Sequence, residues 1–308
     1  MPALKVRAMS DIKEIKNRIR SVKDTQKIAN AMYLISSAKM RKAKAELDGT
    51  RPYFSALKQE IGRIFGYFED IESKYFYAKD YKGPAEKPDA CLVITADKGL
   101  AGSYNQNAIK KAEKLLSINP DTKLYVVGEY GRQYFSRHSI PIEKSFLYTA
   151  QNPTMQRARE ICRTLLDLYE SKEADEIYIV YTDFKSAVGQ SAETVRLLPL
   201  ERKAFKEKGD YKGAGFEFWP DAKRVLENIV PAFLTGFIYS ALVDSFCSEQ
   251  NARMSAMSAA CDNAGSIISE LSVRYNRIRQ AEITREITEV SAGAKAQKAK
   301  RRIREEAK

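Results

Sequence analysis

The stretch ITADKGLAGSYN, residues 94–105, has the residue types of a phosphate-binding turn. The apolar run Cys91-Leu92-Val93-Ile94 enters a loop carrying Asp97, Lys98, Gly99 and Gly102, and a helix-like segment leaves it. Open α/β sheets hold phosphates at such strand–loop–helix units, because backbone N–H groups and the helix dipole converge there. The spacing does not carry that chemistry. Gly99 and Gly102 stand three apart and Lys98 precedes both. Neither G-x-x-x-x-G-K-[ST] nor G-x-G-x-x-G is present, and no hydroxyl follows the lysine to hold a metal. Two readings stay open: a tight turn in which glycine relieves backbone crowding, or a small-anion site at the following helix N-terminus.

Other catalytic constellations are weaker. His138 is the one histidine, and Ser139 beside it in sequence is not the spatial arrangement of a triad. A single histidine excludes a histidine-based metal cluster within the chain. Cys91, Cys162, Cys247 and Cys261 lie far apart, with no C-x-x-C spacing, which excludes the usual zinc route and fits buried thiols in a reducing compartment. No carboxylates stand out as an acid/base pair. The expectation is no catalytic residue, no metal and no cofactor held by this chain.

The elements around the loop follow a β/α rhythm over residues 90–220. ACLVITAD, TKLYVVGEYG and EIYIVYTDF read as strands, NQNAIKKAEKLLSI and MQRAREICRTLLDLY as amphipathic helices, and SAETVRLLPL and GFEFW as edge strands. Residues 69–89 and 200–214, rich in Lys, Glu and Gly, read as solvated connections. The fold class expected is α/β plus a long antiparallel coiled coil, with N- and C-terminal helices pairing around a central mixed-sheet domain. The boundaries are 1–60 for the N-terminal helix, 61–220 for the α/β domain and 221–308 for the C-terminal helix with a basic tail.

Two apolar seams support the coiled coil. Ser10 and Asp11 are suited to cap a helix start. Ile12, Ile15, Ile19, Val22, Gln26, Ala29, Tyr33, Ser36, Met40, Ala43 and Leu47 then alternate spacings of three and four, ending before Gly49 and Pro52. Met254, Met257, Cys261, Ala264, Ile268, Leu271, Tyr275 and Ile278 repeat the pattern; Ile283, Ile287, Val290 and Ala294 continue it one residue out of phase. Residues 221–292 contain few helix breakers, so a helix of roughly 60 residues, about 90 Å, is expected. A long hairpin packed on its own domain stays open as the alternative. Ile28, Met32, Leu34 and Ile35 fall off the first seam, so a partner surface is expected over part of it.

Charge separates the same ends. The formal net charge is +12, yet residues 1–60 and 274–308 together account for +14, which suggests a shared electrostatic task. The tail KAQKAKRRIREEAK, residues 295–308, suits either nonspecific phosphate contact or a solvated helix end. It lacks the aromatic interleaving of single-strand binders, and no nucleic-acid partner is expected. The apolar stretch IVPAFLTGFIYSALV, residues 229–243, rises about 22 Å as a helix against a hydrocarbon core of about 30 Å. It reads as a buried helix with no direct membrane insertion, and no secretory signal is recognised at the start.

TQKIANAMYLISSAKMRKAK (25–44), TADKGLAGSYN (95–105) and SEQNARMSAMSAACDNAGSIISELSVRYNRIRQAEITREITEVSAGA (248–294) resemble the gamma subunit family of the F-type ATP synthase, of bacterial type. The resemblance covers essentially the whole chain. It implies a rotor shaft, not an enzyme by itself, which couples ion-driven rotation of a membrane ring to ATP synthesis or hydrolysis on neighbouring chains. The implied partners are the F1 alpha and beta subunits, the epsilon subunit and the Fo c-ring, with Mg-ATP and ADP on those partners. The implied location is peripheral, on the cytoplasmic face of the bacterial plasma membrane. Met32, Lys39 and Arg41 match the coupling region of the N-terminal helix. Arg279, Gln280, Thr284 and Glu286 match the C-terminal segment that meets the catch loop of a catalytic subunit. The loop departs from the family form TSDRGLCGG at Ala96, Lys98, Ala101 and Ser103, and the regulatory cysteine pair of chloroplast-type relatives is absent. Residues 295–308 run on where many bacterial relatives stop, so the tail is expected to extend the helix or to reach acidic surfaces of the ring.

Overall fold

The computed structural model describes residues 2–68, 71–77, 89–147, 150–184, 190–205 and 218–306, with side chains described from residue 12 to residue 299. The elements in chain order are α1 (Pro2–Tyr67), β1 (Ala90–Ile94), α2 (Tyr104–Ile118), β2 (Lys123–Val127), α3 (Glu129–Arg137), β3 (Lys144–Phe146), α4 (Met155–Glu170), β4 (Ile177–Phe184), β5 (Gln190–Leu198), a short 3-10 turn (Arg202–Phe205) and α5 (Ala222–Glu306). They form two compact units: residues 1–33 with 257–308, and residues 34–256.

In the larger unit the strands stand in the order β3-β2-β1-β4-β5. All neighbours are parallel except β4 and β5, which are antiparallel and leave β5 at one edge. Successive side chains point to opposite faces, so β1 feeds two cores. Ala90, Leu92 and Ile94 pack with α4 (Ile161, Leu165), α5 (Leu226, Val230, Leu234, Ile238) and α1 (Ile61, Ile64). Cys91 and Val93 pack with Ala108, Ile109 and Ala112 of α2 and Phe135 of α3. Burial on both faces explains why β1 reads as a continuous apolar run. The stretch 229–243 belongs to the first core. By length and composition α5 is apolar enough to cross a membrane, but Val230, Leu234, Ile238 and Leu242 are buried in this unit.

Several expectations are corrected. The segment TKLYVVGEYG is not strand throughout: β2 ends at Val127 and α3 begins at Glu129. The break is steric, since Gly128 has φ 95° and a Cβ there would lie 2.3 Å from the Thr95 carbonyl oxygen. The short strand β3 lies in a region with no sequence expectation. The connections read as solvated bury Tyr75, Phe76 and Phe205 in the core; residues 78–88 and 206–214 lie outside the described residues. So does most of GFEFW, and Phe218 and Trp219 are not in a strand.

Helix α1 does not end at Gly49 and Pro52 but runs to Tyr67 with Pro52 inside it. Proline removes one backbone donor and crowds the preceding turn. Burial beyond it outweighs that cost: Phe54, Ile61, Ile64 and Phe65 join the first core, each worth about 1.5–3 kcal/mol when fully buried. At Gly236 of α5 a Cβ would fall 1.9 Å from Phe54 Cδ1, so glycine there admits the ring. Asp221 Oδ1 accepts from Arg224 N at 2.8 Å and caps the start of α5. In this unit Cys247 Sγ donates to the Met40 carbonyl at 3.9 Å. Numbers rising along α1 (Met40, Phe54) meet numbers falling along α5 (Cys247, Gly236), so the two helices are antiparallel.

In the smaller unit α1 and α5 pack along their seams. Ile15, Ala29, Met257, Ala264 and Leu271 are buried, and Ile12, Ile19, Val22, Gln26, Tyr33, Cys261, Ile268, Tyr275 and Ile278 are half-buried. The two readings of the terminal helices therefore both hold, in different units: they pair with each other in one and cover their own sheet in the other. Ser10 does not cap α1, because the helix starts at Pro2. The out-of-phase continuation of the second seam is not packed. Ile287 is 64% exposed and Val290 73%; Glu282 and Arg285 carry on the original phase, half-buried. Residues 286–299 are all exposed, and the helix continues to Glu306.

Candidate functional site

The glycine loop is held from three sides. Thr95 Oγ1 donates to the Val127 carbonyl at 2.9 Å and accepts from Gly131 N at 3.0 Å. Asn105 Oδ1 accepts from Ala96 N at 2.9 Å, and Asp97 Oδ1 accepts from Glu129 N at 2.9 Å, which caps α3. From α5, Arg253 donates to the carbonyls of Gly99 (3.1 Å) and Lys98 (3.4 Å) and to Glu249 (2.5 Å). The loop thus turns carbonyl oxygens toward a guanidinium. That is the opposite polarity to a phosphate cradle, which presents N–H groups. Gly102 has φ 54°, a conformation natural to glycine. The first turn of α2 is occupied by the buried side chains of Tyr104 and Asn105. The tight-turn reading fits this geometry.

The Arg253–Glu249 ion pair is buried in the larger unit, with side chains 9% and 6% exposed. Burial pushes the Glu249 carboxyl up, and Arg253 opposes the shift. One turn away, burial and the Asp183 charge raise Asp244 to about 6 against the pull of Arg51. Sequence reasoning passed over both. A signal was present: SFCSEQNAR, residues 245–253, puts polar residues into a helix whose flanks are apolar, and Ser245, Ser248, Glu249, Gln250 and Arg253 are all buried. Ser245 Oγ accepts from Thr182 N at 3.1 Å and Ser248 Oγ donates to the Thr182 carbonyl at 3.4 Å, so the polar run meets the end of β4.

Burial raises the thiols of Cys91 and Cys247 to about 12 and that of Cys162 to about 11, which suppresses thiolate chemistry. His138 stacks on Tyr134 at 4.1 Å. Among the described residues no group of three or more His, Cys, Asp or Glu could hold a metal ion.

The residues singled out by resemblance lie on the long helices. Met32 is half-buried in the smaller unit, and Arg279, Gln280, Thr284 and Glu286 are exposed on α5 of that unit. Thr284 Oγ1 donates to the Gln280 carbonyl at 2.9 Å. Lys39 and Arg41 are exposed on α1 in the larger unit, where Arg41 donates to Ser37 Oγ at 2.9 Å. Within the smaller unit Gln26 faces Cys261. Met32 lies six residues to one side of that contact and Arg279 eighteen to the other. At 1.5 Å per residue they are about 36 Å apart. The structure brings together Arg279, Gln280, Thr284 and Glu286 over two helical turns, but not Met32 with them.

Fold and site together define a helix-pair subunit. Its central sheet and glycine loop are stabilised by the chain's own side chains, and Arg279, Gln280, Thr284 and Glu286 on α5 face outward. A family profile described as ATP synthase matches residues 11–297. An ATP synthase gamma chain from Acetivibrio thermocellus is 40% identical over 297 residues, covering 94% of this chain and 100% of that one. The sodium-ion-specific ATP synthase gamma chain of Acetobacterium woodii is 34% identical, covering 93% and 98%. Among solved structures, the central stalk and c-ring of the Tetrahymena thermophila mitochondrial ATP synthase contains a chain with TM-score 0.57 and 25% identity, covering 76% of this chain and 99% of that one. A chain of the Euglena gracilis mitochondrial ATP synthase (OSCP/F1/c-ring) reaches TM-score 0.64 at 16% identity, covering 94% and 95%, and shows the fold alone. The chain belongs to the ATP synthase gamma chain family.

Proposed function

We propose that this chain is the central rotor shaft of an F-type ATP synthase, coupling ion-driven rotation of a membrane ring to ATP synthesis or hydrolysis at sites on neighbouring subunits. The observation that carries this is the end-to-end likeness to gamma chains, 40% identical across 94% of the sequence. The partners are the alpha and beta subunits of F1, the epsilon subunit and the Fo c-ring. The chain contributes no catalytic group; Mg-ATP and ADP occupy the partners. Its place is peripheral, in a complex at the cytoplasmic face of the bacterial plasma membrane.

The physical account follows from the helices. A shaft shifts its neighbours between conformations only if it contacts those conformations differently. The uneven side chains and departures from the seam supply that difference. Arg279 offers charge-assisted hydrogen bonds and Gln280 a directional amide, while Thr284 and Glu286 extend the same exposed turns. Met32 in the smaller unit, and Lys39 and Arg41 in the larger, are the residues of α1 assigned to coupling by the family likeness. The three buried, high-pKa thiols and the Arg253-clasped loop serve the integrity of the larger unit.

The test is to purify the native complex and measure nucleotide hydrolysis with and without this chain. Replacing Arg279 and Gln280 by alanine is expected to weaken coupling by about 10-fold, roughly two lost charge-assisted or directional hydrogen bonds, with nucleotide binding on the partners intact. Unchanged coupling would remove their assigned role. Turnover by the isolated chain would overturn the non-catalytic reading.

A further inference from the structure

In the smaller unit small residues line the seam around Gln26. Ala29 and Ala264 are buried there, and a Cβ added to Gly265 would come 3.7 Å from Gln26 Nε2. Small residues let the helix backbones approach, and two side chains reach across to the opposite backbone. Gln26 Nε2 donates to the Cys261 carbonyl at 3.1 Å, and Cys261 Sγ donates to the Gln26 carbonyl at 3.6 Å. The same residue pair thus bonds reciprocally, from each helix to the other. These carbonyls also accept within their own helices, so each end of the clasp is fixed to a rigid ladder. The contact of Cys247 with Met40 in the larger unit is the single-bond counterpart. Those two residues lie fourteen positions from Cys261 and Gln26 along their respective helices, which is two heptads on each.

We propose that Gln26 and Cys261 are positioning residues of the rotary coupling: their reciprocal clasp fixes the azimuth and axial offset of α1 against α5 and so holds the Arg279–Glu286 turns at a defined angle under torque. The coupling part of this inference rests on the rotor reading. Apolar seams tolerate sliding and counter-rotation because their attraction is non-directional. A seam polar group costs stability and supplies register. An amide aimed at one backbone carbonyl accepts only a narrow range of relative rotation, since hydrogen bonds weaken steeply off axis. The thiol is a weak donor and plays the lesser part.

This role separates from simple stabilisation by sign. Gln26→Leu replaces a half-buried amide with an apolar group of similar size, so the melting temperature of the full chain should hold or rise. Meanwhile the distance distribution between spin labels on non-cysteine anchors replacing Lys27 and Asp262 should broaden about twofold. Cys261→Ala removes only the weaker bond and should give an intermediate width; it also keeps the test available if Gln26→Leu misfolds. In the reassembled complex, ions moved per ATP hydrolysed should fall about three- to tenfold for Gln26→Leu, with hydrolysis itself retained. A distribution as narrow as the parent's in both variants overturns the clasp. A broadened distribution with unchanged coupling overturns its role in torque. The label measurement uses the isolated chain and stands whatever becomes of the rotor reading, so the two failures are distinguishable.

Discussion

Removing Arg253 tests the electrostatics that close the glycine loop. Arg253→Met keeps most of the aliphatic volume but deletes the bonds to the Lys98 and Gly99 carbonyls and the ion pair with Glu249. What matters is the group left behind. Breaking a buried pair by truncating one partner costs about 3–5 kcal/mol, because the surviving charge is uncompensated. Glu249 is 5% exposed, which places it in that regime. Its folded-state pKa is already raised by burial. A group raised in this way contributes stability that is fully present below its unfolded pKa and is lost as pH rises through the folded value. Loss of Arg253 takes away the opposing pull and raises Glu249 further, so the variant should lose more stability at pH 8 than at pH 5. The double variant Glu249→Gln/Arg253→Met removes the stranded charge and should regain more than half of the loss. Urea unfolding of the full chain at the two pH values, followed by near-UV circular dichroism, reads both effects. A penalty below about 1 kcal/mol, or one that does not grow with pH, would refute the claim that this pair is effectively desolvated.

Three other outcomes are expected. Gly236→Ala should destabilise the larger unit by about 1–3 kcal/mol through overpacking, because its Cβ would overlap the Phe54 ring; Phe54→Leu in the same background should recover part of this in thermal melts. Asp244, raised to about 6 by burial and by Asp183, contributes stability at low pH that is lost as pH rises through 6. Asp244→Asn should therefore stabilise above pH 6 by about 1–2 kcal/mol, after discounting for its partial exposure, and flatten the profile between pH 4 and 7. Deleting residues 295–308 should leave the melting of the larger unit within about 0.5 kcal/mol, since residues 286–299 are exposed, while changing hydrolysis, inhibition or coupling in the complex. No functional change would count against a functional tail.

What was legible beforehand follows the range of the physics involved. The period of Ile12 to Leu47 and of Met254 to Ile278 is local information, and so is the apolar density of Cys91 to Ile94; these sufficed for the paired helices and the buried central strand. Failures cluster where a distant neighbour decides. Nothing local says that α1 continues through Pro52, because the compensation comes from Ile61, Ile64 and Phe65 meeting a core assembled from α4, α5 and the sheet. The break at Gly128 likewise depends on the Thr95 carbonyl, thirty-three residues earlier in the chain.

The candidate site divides in the same way. From the spacing of its glycines the loop could be denied a nucleotide motif, yet the residue that holds it, Arg253, is 154 positions from Gly99. Arg279, Gln280, Thr284 and Glu286 were found through family likeness, and their grouping on two turns needs only helical geometry. Their separation from Met32 did not, because it depends on which residues the antiparallel register places opposite each other. Sequence by itself determined the paired-helix seams through Ile278, the amphipathic helices and the apolar central strands, since periodicity and burial propensity act over a few residues. Tertiary structure alone decided which polar groups are buried together and where helices outlast their breakers, because pairing and compensation are set by atoms that only folding brings into contact.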